Sequence, residues 1–222
     1  PFEGSYEQFR HVIHHELVHA VINEMFYGGS IQAIIENSIR LQLPLWFNEG
    51  LAEYTARGGW DTNSDMFLRD ATTSNYLPPI QMLGGYFAYR GGQSVWWYIA
   101  EKYGKQKVGE ILNRVRSTRN LDQGFKSTIG LTVEELSERW TKEQKVLYYP
   151  DVAKRVMVED YAKRLTNHTK LRNFYNTSPA ISPAGDRIAF ISDRDDFFSV
   201  YTMSATDGGD IQHLMEGQTT AD

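Results

Sequence analysis

The chain is 222 residues long, 41% apolar and 13% aromatic, with no low-complexity tract, a composition that supports a sizeable core and excludes a disordered chain. Its formal charge is −5 and it carries no basic run, which speaks against nucleic acid as a partner, and no apolar run reaches the length that spans a bilayer. Cysteine is absent, which removes disulfides and thiolate metal ligands without selecting a compartment.

In chain order, the sequence opens on PFEGSYEQF, without Met or the charged-then-apolar plan of a signal peptide, as expected of a piece excised from a longer protein. Residues 5 to 26 carry Phe9, Val12, Ile13, Leu17 and Val21 at helical spacing and run into Gly28-Gly29, which predicts a helix with a glycine stop. Ser30 is placed to cap a second helix, IQAIIENSIRLQ, which Pro44 breaks. LWFNEGLAEYTA reads as a third helix ending at Gly58-Gly59. A short helix from Ser64 and an irregular turn through Pro78-Pro79 follow, then a buried helix in GGQSVWWYIAEKYG. KQKVGEILNRVRS, LDQGFKSTIG and TVEELSERWTKEQKVLYY complete the helical part, the last opened by Thr132 with Glu134 and Glu135 where acids suit the helix dipole. Past Pro150 the texture changes: RIAFIS, FSVYTMS and IQHLM are β-rich runs separated by PAGD, DRDD and TDGGD turns, a β-meander about one propeller blade long. The reading is an α+β chain: a helix-dominated domain over 1–149, a linker over 150–165 and an antiparallel β-meander over 166–222.

Four histidines and a glutamate crowd HVIHHELVHA. On a helix His15 and His19 stand on one face with Cβ atoms roughly 6 Å apart, close enough to hold one metal ion. Glu16 points to the flank of that face, the H-E-x-x-H arrangement in which a carboxylate near the metal takes a proton from water. Tetrahedral catalytic zinc takes a third protein ligand, and NEGLAEY offers Glu49 and Glu53, again four apart, within apolar surroundings that argue for an inward face. His11 forms a second i, i+4 pair with His15, but Val12 follows it where a catalytic glutamate would have to be, so it reads as a supporting or buffering residue. His14 falls off this face, and Trp96, Trp97 and Trp140 read as packing residues.

HHELVHA followed by WFNEGLAEY resembles the zinc helix and glutamate helix of the gluzincin metallopeptidases, the family of thermolysin and the zinc aminopeptidases. That resemblance implies a helix-dominated peptidase domain with one zinc per chain, held by His15, His19 and Glu49. It implies Glu16 as general base and Glu53 as the acid that orients a zinc histidine. YRGGQSVWWYIAEKYG is similar to the Tyr-x-x-Gly helix start of the aminopeptidase branch, which implies that Tyr89 steadies the oxyanion, with Tyr86 one turn earlier as the competing tyrosine. No Gly-x-Met-Glu-Asn segment is present, so exopeptidase activity is not implied, and the 14 residues before His15 cannot supply the sheet that precedes the zinc helix in that family. SPAISPAGDRIAFISDRDDFFSVYTMSATDGGDIQHL resembles one repeat of a TolB-like β-propeller.

The function expected is zinc-dependent hydrolysis of peptide bonds in a peptide or protein substrate, in a bacterial envelope or secreted setting by resemblance. Two other readings stand beside it: a scaffold with a structural zinc whose propeller binds partner proteins, and a degenerate metal-free domain. A lone blade also exposes an unpaired strand edge, through which the chain is expected to self-associate.

Overall fold

The computed structural model describes residues 4–28, 41–156, 158–167, 170, 173, 175–195 and 197–217. The second helix expected at 31–42 lies outside the described residues save for Leu41 and Gln42, which are not helical. The fold class is α+β, with seven α-helices among the described residues and a four-stranded antiparallel sheet near the C-terminus. Two compact units divide the chain, Pro1–Arg155 and Val156–Asp222.

In the first unit α1 spans Tyr6–Tyr27, capped by Ser5, whose hydroxyl accepts from the Gln8 amide, and closed by Gly28 at φ 84°. An apolar stripe on a surface helix ordinarily faces the core. Here it does not: Phe9, Val12, Ile13, Leu17 and Val21 are 40–67% exposed, and the inward side carries His15, Ile22 and Phe26. The period of the stripe specifies a helix and carries no information about which face turns inward.

α2 spans Leu45–Ala56, entered through Pro44 and stopped before Gly58 and Gly59, both at positive φ. α3 spans Thr62–Thr73. It begins two residues before the expected Ser64, because the Asp61 carboxylate accepts from the Asn63 and Ser64 amides and caps it. A 3₁₀ turn at Ile80–Met82 leads to α4, Tyr86–Tyr103, whose first residues include Tyr89 and Arg90. α5 covers Gln106–Thr118, α6 Leu121–Ile129 and α7 Val133–Val152. Thr132 and Glu135 cap α7 reciprocally, and the helix carries Pro150 within its last turn and so runs beyond the stop expected there.

The core of this unit is aromatic: Trp46, Phe47, Trp96, Phe125 and Trp140 are all buried. The indole N–H groups are satisfied inside it, Trp96 donating to the Phe47 carbonyl at 3.1 Å and Trp140 to the Ser94 hydroxyl at 3.0 Å. α2 and α4 approach backbone to backbone at Gly50 and Gly92. A methyl group built at Gly92 would lie 2.4 Å from the Trp46 carbonyl oxygen, and one at Gly50 would lie 2.4 Å from the Gly92 Cα. The glycines are needed for this close approach, because any side chain would separate the two helices.

In the second unit β1 (Asn176–Ile181), β2 (Arg187–Ser192), β3 (Ser199–Ser204) and β4 (Gln212–Met215) pair in sequential order, all antiparallel. The three expected runs are β2, β3 and β4; β1 is additional, its Pro179 hiding the strand signal. β2 and β3 pair Phe190 with Tyr201 and Ile188 with Met203, placing these side chains on one face as the period of two requires.

Gly92→Ala should destabilise the first unit by about 1–3 kcal/mol, through overpacking against a helix that cannot retreat. The lowered thermal midpoint would appear in a melt followed by circular dichroism, and an unchanged midpoint would show that the α2–α4 contact yields freely.

Candidate metal centre

α1 is long enough to place His11, His15 and His19 on successive turns of one face, and α2 packs against that face with Glu49 and Glu53 one turn apart. The convergence is close. His15 Nε2 lies 3.1 Å from Glu49 Oε2, His19 Nε2 lies 3.2 Å from the same oxygen, and the two Nε2 atoms are 3.0 Å apart. Donors bound at about 2.0–2.1 Å to one tetrahedral ion stand roughly 3.3 Å from each other, so this triangle fits a single small cation. His15 is 8% exposed, so the site is reached from the His19 and Glu49 side.

The protonation pattern supports the same fit. His15 Nδ1 lies 3.0 Å from Glu53 Oε1. An ionised carboxylate can only accept, so Nδ1 carries the proton and Nε2 is left with its lone pair toward Glu49. A lone pair against a carboxylate oxygen at this range is repulsive unless a proton or a metal lies between them. With no ion between them a proton takes that place: the hydrogen bond with Glu53 raises the His15 pKa, against the opposing effect of burial, and the charge of Glu53 and the hydrogen bond and charge of Glu49 act in the same direction.

Glu53 is 5% exposed and holds four nitrogen groups. Oε1 faces His11 Nε2 and His15 Nδ1, each at 3.0 Å, while Oε2 accepts from Arg57 Nε at 2.7 Å and Arg90 Nη1 at 3.0 Å. Burial alone would raise its pKa, but the hydrogen bonds from His15 and Arg57 and the charges of Arg57 and His11 bring it down to about 2. His11, His15 and Glu53 also form a geometrically possible metal group. Two guanidinium groups already occupy that carboxylate, and their charge disfavours a cation there, so His15, His19 and Glu49 are the better ligand set.

Glu16 is exposed beside His15. The Tyr89 ring stacks on His15 with centroids 6.0 Å apart and planes 18° apart. Burial raises the Tyr89 pKa, as do the charge of Glu49 and a hydrogen bond to it, with smaller contributions from the charges of Glu53 and Glu16, so the hydroxyl stands among these carboxylates. Tyr86 faces elsewhere: it is 56% exposed, accepts from Arg90 Nε at 2.9 Å and meets Phe67 edge to face. His14 is exposed, and Trp97 stacks on Trp60.

Sequence reasoning missed Arg57, Arg90 and the polar cluster beside them. The Ser64 hydroxyl lies 2.6 Å from Gln93 Oε1 and 2.8 Å from Asp61 Oδ2, two acceptors that share its single proton, and Gln93 Nε2 donates to Asp61 Oδ2 and to the Gly59 carbonyl. Arg57 carried one signal, its position four residues after Glu53. Arg90 carried none beyond following Tyr89.

The Peptidase MA superfamily profile matches residues 6–146, more than half of the chain, and takes in both the histidine helix and the glutamate helix. No curated protein and no solved structure gives a significant match. The sheet of the second unit lies beyond the matched span. With that span and the helix pair it contains, the chain belongs to the Peptidase MA superfamily.

Proposed function

We propose that this chain is a zinc-dependent peptidase that hydrolyses peptide bonds, with one zinc per chain held by His15, His19 and Glu49. The observation that carries the reading is the convergence of three donor atoms within 3.2 Å of one another, with Glu16 and Tyr89 beside them. Zinc in such a site supplies Lewis acidity, which lowers the pKa of water and polarises a carbonyl oxygen.

The chain's own residues do the rest. Glu53 fixes the His15 tautomer by accepting from Nδ1, which leaves Nε2 free as a ligand atom. Glu16 follows His15 directly and is solvent-facing, where it accepts a proton from the attacking water and returns it to the leaving amine. The Tyr89 hydroxyl, held un-ionised by burial and by nearby carboxylates, donates to the oxyanion as the carbonyl carbon becomes tetrahedral. A peptide carbonyl approaching from the open side by His19 and Glu49 meets the base and the hydroxyl donor together.

In the same reading the four-stranded sheet is one blade of a TolB-like propeller. Four short antiparallel strands in sequential order, joined by acidic and glycine-containing turns, support that assignment.

Glu16→Gln should retain zinc and lose peptide hydrolysis by several orders of magnitude. Equal zinc content with undiminished cleavage would instead remove Glu16 from the role of base.

Glu49→Gln should weaken zinc binding far more than Glu53→Ala, for which a loss of about 10- to 100-fold is expected of a group that touches a ligand rather than the ion. Calorimetric titration of both variants measures the difference, and equal losses would merge the two roles.

Tyr89→Phe should lower turnover about 10²-fold or more while leaving zinc affinity near that of the parent chain. The same loss in Tyr86→Phe rather than Tyr89→Phe would move the oxyanion donor one turn earlier in α4.

A further inference from the structure

Among the described residues, Glu53 meets a pair of imidazoles and a pair of guanidinium groups at once, and the two arginines reach it by different routes. Arg57 belongs to α2 itself, four residues on, with a side chain 23% exposed. It supplies charge but ties Glu53 only to its own helix. Arg90 comes from α4, 37 residues away in sequence, with a side chain 12% exposed. Its Nη1 donates to Glu53 Oε2 at 3.0 Å and to Ser64 Oγ of α3 at 3.2 Å, and its Nε donates to Tyr86 Oη at 2.9 Å. One planar guanidinium thus joins three helices at the carboxylate that holds His15.

We infer that Arg90 is a positioning residue of the metal centre: by anchoring Glu53 from α4 it fixes the ring orientation and tautomer of His15, and it holds the start of α4, with Tyr89, against the ligand helices. The assignment rests on the proposed ligand set of His15, His19 and Glu49. The physical argument is directional. His11 and His15 hold Oε1 from α1 and Arg57 holds Oε2 from within α2, so Arg90 is the contact that ties Oε2 to a third helix, through a guanidinium itself braced by Ser64 and Tyr86. The Asp61, Ser64 and Gln93 cluster packs behind the guanidinium and completes the brace, Asp61 Oδ2 lying 3.8 Å from Arg90 Nη1.

The test compares Arg90→Met, Arg90→Lys and Arg57→Met in the full chain. Zinc affinity is read by competition with a chromogenic chelator, ligand geometry by the visible spectrum of the cobalt-substituted protein, and the His15 tautomer by long-range proton–nitrogen NMR of the metal-free protein above the imidazole titration range. Arg90→Met should bind zinc about 10- to 100-fold more weakly, alter the cobalt spectrum and give His15 a mixture of tautomers. Arg90→Lys should fall between Arg90→Met and the parent chain, because an ammonium cannot serve Glu53, Ser64 and Tyr86 together. Arg57→Met should lose less than Arg90→Met.

In a Glu53→Ala background neither Arg90 substitution should weaken zinc further. Additive losses there, equal losses in Arg57→Met and Arg90→Met, or an Arg90→Met protein with the parent's affinity, spectrum and tautomer would each overturn the assignment. If Arg90→Met does not fold, Arg90→Lys and its Glu53→Ala double variant decide, and a lysine variant indistinguishable from the parent overturns it. A parent chain that binds zinc with these Arg90 effects but cleaves no peptide would overturn the catalytic reading and leave Arg90 in place. A parent chain that binds no zinc would overturn both.

Discussion

The Glu53 carboxylate is the constraint on which the rest of this site depends. It is buried, so its charge is tolerated only because two imidazoles and two guanidinium groups surround it. Those same contacts decide which nitrogen of His15 carries a proton, and hence where the lone pair of Nε2 is directed. The convergence of His15, His19 and Glu49 is therefore a consequence of how Glu53 is satisfied, and not only of the spacing in two helices.

The scaffold around that carboxylate is stiff where the site needs precision. Gly50 adjoins Glu49, and Gly92 lies three residues after Tyr89, so the close approach of α2 and α4 lies beside the histidine–glutamate cluster. Behind it, Trp46, Phe47 and Trp96 fill the space between the helices, and the Trp96 indole donates to the Phe47 carbonyl within α2. Close packing of this kind transmits small displacements, because there is no void to absorb them. The histidine helix α1 is less enclosed, since it buries a single face and leaves its most apolar stripe exposed.

The sheet of the second unit obeys simpler rules. Alternation of inward and outward side chains sets the β2–β3 register, and the Ser182–Asp186 turn is held by the Ser182 hydroxyl donating to Asp186 at 2.6 Å and by Gly185 at φ 73°. Arg187 reaches across to Asp210 at 2.6 Å, tying the start of β2 to the turn before β4. Three strands were legible because their β-branched and aromatic runs are bounded by Gly, Pro and Asp. The first was not, because Ser178 and Pro179 interrupt its pairing at a register shift.

By itself the sequence determined the local features: helices from their period, the cap at Thr132, the stops at Gly28 and Gly104, and the pairs His15 with His19 and Glu49 with Glu53, because four residues make about one turn wherever a helix forms. It also carried the superfamily signature in HHELVHA and WFNEGLAEY. Tertiary structure alone decided the rest. It chose the histidine face of α1, not the apolar stripe, as the inward one, because burying imidazoles opposite two carboxylates satisfies both sets of polar groups at once. It placed Tyr89 and not Tyr86 against His15, because α4 starts early enough to turn position 89 toward α1. And it brought Arg90 onto Glu53 from 37 residues away, a contact that no periodicity encodes, since it depends on how three helices are stacked and not on how any one of them is wound.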